Sequence, residues 1–146
     1  ELLAKSKQDN GIACHGEPCL LIKGQALYRL KKYNKAIEAF TTYQEYQTSQ
    51  DFSPMDNSLI VFYKARCLME IGKFQKAKDY FLSLVEYYPH AEAFFQLAKI
   101  YSIQEDKINS DIYIKKTKDA LDNGYSFKEP YFERFDKVFD HMINNL

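Results

Sequence analysis

Apolar residues recur at three- and four-residue intervals through most of this chain, and strand-like alternation is hard to find. In GQALYRLKKYNKAIEAF, the helical spacing of Gly24, Ala26, Leu27, Tyr28, Leu30, Tyr33, Ala36 and Phe40 predicts two helices joined by a tight turn. The pattern recurs. Setting Ala36 on Ala77 also sets Tyr33 on Phe74, Leu30 on Ile71, Gly24 on Ala65, Leu20 on Val61 and Phe40 on Phe81, a step of 41 residues. A further step of 33 sets Val61 on Phe94, Ala65 on Ala98 and Leu68 on Tyr101. Periods of this size signal stacked helical hairpins, each too small to bury its own apolar face.

Residue types carry the packing argument. Gly24, Ala65 and Ala98 are small where a neighbouring helix crosses closely, and so are Ala36 and Ala77 on the second helix of each pair. Aromatics at 33, 40, 74 and 81 fill the space between helices. Pro18 suits a first helical turn, Ser53-Pro54 reads as a helix start, and Asn123-Gly124 as a stop. Extra residues around Ser49 to Met55 make a long loop between the first two copies.

The order of these positions resembles the tetratricopeptide repeat, whose period is about 34 residues. Two copies, KGQALYRLKKYNKAIEAFTTYQ and FYKARCLMEIGKFQKAKDYFLSLVEYYP, carry it clearly; the second keeps Gly72 at the turn and Pro89 at the end. A third, AEAFFQLAKIYSIQEDKINSDIYIKKTKDAL, keeps its first helix best. The resemblance implies an all-α fold, an α-solenoid of about three hairpins at 18–50, 54–89 and 91–124. Residues 1–17 read as the stub of a preceding element. Residues 126–146, with Tyr131, Phe132, Phe135, Val138, Phe139, Met142, Ile143 and Leu146 at helical spacing, read as a capping helix over the last apolar face. Asp136 to Phe139 resembles the ending of many bacterial members of the family.

Lys plus Arg and Asp plus Glu each total 20, so the formal net charge is zero. That balance argues against a general nucleic-acid or anionic-membrane binder. No apolar run reaches the length of a membrane span. The opening ELLAKSKQ has neither an initiating Met nor a signal-peptide pattern, so the chain reads as a piece of a longer protein. Three cysteines suit a reducing, cytoplasmic setting better than a stapled secreted fold.

Candidate chemistry is sparse. Cys14-His15-Gly16-Glu17-Pro18-Cys19 could in principle hold zinc, but four residues separate the thiols and no second pair completes a tetrahedral set. An N-terminal loop is the plainer reading, and no metal, cofactor or catalytic residue is expected. Cys67 falls at a small packed position and reads as a compact hydrophobe. His90 and His141 have no nucleophile at a readable spacing. Glu105-Asp106, Lys31-Lys32 and Lys115-Lys116 read as solvated turn and face residues, and there is no Gly-rich phosphate loop.

The function implied by the resemblance is a protein-interaction module. In the family, ligand-facing positions lie on the first helix of each hairpin. Here these are Leu21, Gln25, Tyr28 and Arg29; then Phe62, Tyr63, Arg66 and Met69; then Glu92, Phe95, Gln96 and Lys99. One subclass grips C-terminal carboxylates of chaperones through Lys and Asn, but the matching Leu21, Gln25, Tyr63, Glu92 and Gln96 include neither. What remains is an aromatic and aliphatic trough edged by Arg29, Arg66 and Lys99. It suits an apolar or amphipathic protein segment with some acidic character. The alternative is structural: self-association into a homo-oligomer, or an intramolecular repeat segment that stacks on further repeats of a larger protein.

Overall fold

A computed structural model of the chain describes residues 17–49 and 58–126. Among them are six α-helices and no strand: α1 Glu17–Arg29, α2 Tyr33–Ser49, α3 Ser58–Glu70, α4 Phe74–Tyr87, α5 Ala91–Ile103 and α6 Lys107–Asp122. The all-α expectation therefore holds, with Pro18 in the first turn of α1 and α6 stopping just before Asn123-Gly124. The anticipated long loop, the N-terminal stub and, beyond Ser126, the capping helix lie outside the described residues.

The chain divides into two compact units between Lys73 and Phe74. In the first, α1 pairs with α2, and α2 packs on α3. Its core is built from Leu20, Leu27, Ala36, Phe40, Tyr43, Ile60, Ala65 and Leu68, all buried. The small residues sit where expected. A Cβ on Gly24 would stand 2.6 Å from Cδ1 and 2.7 Å from Cζ of Phe40, and closer still to Cε1. Only a residue without a side chain lets α1 and the Phe40 ring of α2 approach this closely.

In the second unit, α5 lies against both α4 and α6. Ala77, Phe81, Leu84, Phe95, Leu97, Ala98 and Ile100 form its core. The α5–α6 crossing is close at Ala98, whose carbonyl accepts a hydrogen bond from Ser110 Oγ at 3.0 Å. Asp106 caps α6 by accepting from the Asn109 backbone N–H (3.1 Å) and from Nδ2 (2.7 Å). After α6 the chain turns back, and Ala91 N–H at the start of α5 donates to the Tyr125 carbonyl.

Two of the four gap-filling aromatics, Phe40 and Phe81, are fully buried; Tyr33 and Phe74 are half-buried because each is the first residue of its helix.

Four helix ends share one device. After α1, Lys31 N–H donates to Tyr28 C=O and Lys32 N–H to Leu27 C=O. The same pair of bonds closes α3 at Gly72 and Lys73, α5 at Glu105 and Asp106, and α6 at Gly124 and Tyr125. This is the Schellman arrangement, which needs one residue in the left-handed region. That residue is Lys31 (φ 60°), Gly72 (φ 81°), Glu105 (φ 59°) and Gly124 (φ 75°) in turn. Glycine takes this conformation freely, whereas Lys and Glu do so at a cost. Glu105→Gly is therefore expected to raise stability by about 0.5–1 kcal/mol, and Gly72→Ala to lower it by about 1 kcal/mol. Nothing lies within 4 Å of a Cβ at Gly72, so the second change reports backbone conformation alone. Urea midpoints of the two variants check both signs.

Candidate functional site

The anticipated ligand-facing residues of the first unit come together around Tyr28. Helical spacing puts Phe62 and Arg66 four residues apart on one face of α3. The Arg66 guanidinium lies over Phe62, with Cζ 5.8 Å from the ring centroid, and over Tyr28 of α1 at 5.0 Å. Tyr28 in turn sets its edge against Tyr63 (5.8 Å, 70°) and Tyr33 (5.6 Å, 63°). Tyr63 stacks on Phe40 at 5.6 Å and meets Phe62 edge to face at 6.0 Å. The result is a cation held on an aromatic platform, an arrangement that gains about 0.5–2 kcal/mol as the site is desolvated.

Burial separates the supports from the reachable groups. Phe62 is 1% exposed, and Tyr63 and Gln25 are 5% exposed, so these three form the packed backing of the platform. The Gln25 amide nitrogen is buried without a hydrogen-bond partner. Tyr28, Arg66 and Met69 are half-buried and Arg29 is exposed. Leu21 lies on α1. In the second unit, Phe95 is 1% and Gln96 4% exposed, while Lys99 is half-buried. Glu92 is buried and its carboxylate accepts a hydrogen bond from Ser126 Oγ.

Burial, opposed by the nearby Arg66 charge, pushes the Tyr28 phenol up to about 12. The same two influences act on Cys67, whose fully buried thiol is also pushed up to about 12. A thiol held in that form at neutral pH is a poor nucleophile, which agrees with its place as a small core residue. His90 is drawn below the usual imidazole range by burial, and its ring stacks on Tyr88 at 6.3 Å. Cys14 and His15 lie outside the described residues. Among those described, no group of three His, Cys, Asp or Glu side chains is placed to share a metal ion, and no helix is long and apolar enough to cross a membrane.

One constellation was not anticipated. In the second unit Tyr101 stacks on Tyr113 at 5.4 Å, and Phe94 leans on Tyr113 at 6.2 Å. Lys78 Nζ covers Tyr101 at 5.0 Å, and Lys116 Nζ covers Tyr113 at 5.0 Å. The seven-residue interval between Phe94 and Tyr101 was the available signal, since it puts both on one face of α5.

Helices that end in a common turn, with small residues at their crossings, define a helical-repeat protein. Two tetratricopeptide-repeat models match the chain, one over residues 18–49 and one over 61–91. The chain belongs to the tetratricopeptide repeat family, whose repeats are generally protein–protein interaction modules. No curated protein matches it.

Proposed function

We propose that this chain is a protein-binding module that docks an apolar or amphipathic partner segment against α1 and α3, with no chemistry of its own. Tyr28 and Met69 supply apolar contact, and Arg66 and Arg29 engage acidic groups. Phe62, Tyr63 and Gln25 form the wall behind them. Phe95, Gln96 and Lys99 occupy the same repeat positions on α5, with Lys99 the most accessible of the three.

The observation that carries this reading is Arg66. It rests on Tyr28 and Phe62 and has no carboxylate partner among the described residues. A half-buried guanidinium fixed on aromatic rings is already oriented, so a partner's carboxylate meets it with little further loss of rotamer freedom. Aromatic and Arg anchors of this kind dominate binding energy at protein interfaces.

Alanine at the buried Tyr63 or Phe95 would test the fold as much as the site, so the informative variant is Arg66→Gln. Partners captured with the 146-residue chain and identified by mass spectrometry provide the ligand. Arg66→Gln is expected to weaken the captured partner's binding about tenfold, with an unchanged far-ultraviolet circular dichroism spectrum. Unchanged affinity would remove α1 and α3 as the docking face.

A further inference from the structure

The charges of this neutral chain are not evenly distributed. Residues 18–37 contain Lys23, Arg29, Lys31, Lys32 and Lys35 and no Asp or Glu. The fold gathers three of these cations around one opening. Lys31, Lys32 and Lys35, with Tyr33, Asn34 and Ile71, line a recess of about 320 Å³ where the α1–α2 turn meets the end of α3. All three lysines are exposed, and among the described residues none of them forms an ion pair. Glu70 stands nearby and its negative charge acts on Tyr33, but the three lysines outnumber it. Lys31 also keeps its charge at a backbone position that glycine fills in the α3 and α6 turns.

We propose that this recess binds the acidic part of a protein partner: a peptide stretch in which Asp or Glu residues alternate with an aliphatic side chain. The proposal deepens the interaction-module reading and rests on it. Charge complementarity selects carboxylates, since three exposed ammonium groups line one opening and outnumber the nearby Glu70 carboxylate. The half-buried Ile71 and Tyr33 add an apolar floor that suits an aliphatic neighbour of those carboxylates. The recess is also continuous with the Arg66 platform. Tyr33 lines it and touches Tyr28 at 5.6 Å, and Tyr28 lies under Arg66 at 5.0 Å. One extended segment can therefore place a carboxylate on Arg66, cross the two tyrosines and end among the lysines. A nucleic acid or an anionic bilayer is the weaker match, because the chain has no net positive charge with which to follow a long polyanion.

The test uses the full chain and a fluorescein-labelled peptide of alternating Glu and Leu, read by fluorescence anisotropy. A peptide with Gln replacing Glu, a labelled oligouridylate and phosphatidylserine vesicles are run in parallel. The Glu peptide is expected to bind, the Gln peptide about tenfold more weakly, and added salt to weaken only the former. A Lys31→Gln/Lys32→Gln/Lys35→Gln variant is expected to lose about tenfold for the Glu peptide, with its thermal midpoint unchanged because all three side chains are exposed. Absence of binding to the Glu peptide, equal affinity for the Gln peptide, or full affinity in the triple variant overturns the proposal. Equal or tighter binding of the oligouridylate or the vesicles overturns the choice of an acidic peptide. Arg66→Gln separates the two readings. Loss in that variant beside an unaffected triple variant removes the recess and leaves the platform. The reverse result removes the platform and leaves the recess.

Discussion

Phe40→Ala is expected to cost about 4 kcal/mol, the largest loss from any single truncation in the first unit. Phe40 is fully buried. Its ring lies on the backbone of α1 at Gly24 and stacks on Tyr63 of α3. Removing it deletes a side chain that touches both neighbouring helices, and an alanine cannot be covered by a small shift of either. Urea unfolding followed at 222 nm is expected to show a large fall in midpoint. A loss below about 1 kcal/mol would mean that the α1–α2 contact is much looser than described.

Gly24→Val is the converse experiment, adding volume where Phe40→Ala removes it. The new Cβ would fall inside the contact distance of three Phe40 ring atoms. Valine is the better helix former by a few tenths of a kcal/mol, but overpacking a closed core costs about 1–3 kcal/mol. A net loss of about 2 kcal/mol is therefore expected. The double variant provides the sharper measurement. In Gly24→Val/Phe40→Ala the valine occupies part of the space the ring has left, so the combined loss should fall short of the sum by about 1–2 kcal/mol. Strict additivity would show that the two positions do not meet.

These two residues also illustrate how far the fold could be read in advance. The repeat register marks Gly24, Ala65 and Ala98 as crossing points, because only a small side chain lets helices approach, and all three are buried. It also marks Phe40 and Phe81, which are fully buried. Register gives the face of a helix but not the depth of a side chain. Phe62 and Phe95 were therefore anticipated as ligand-facing, whereas each is 1% exposed. The Arg66 platform was half legible: its four-residue spacing from Phe62 is in the sequence, but Tyr28 reaches it from another helix. Two of the left-handed turn positions were hidden altogether. Lys31 and Glu105 carry no glycine signature, and hydrogen bonds with the preceding helix hold them in that conformation.

The sealed thiol of Cys67 gives this protein an internal clock. It has no solvent exposure and reacts with an alkylating reagent only after α3 leaves its neighbours. Peptide mapping separates its product from those of Cys14 and Cys19. The rate at which label accumulates there counts excursions of one helix out of its packed position, without a dye or an introduced probe.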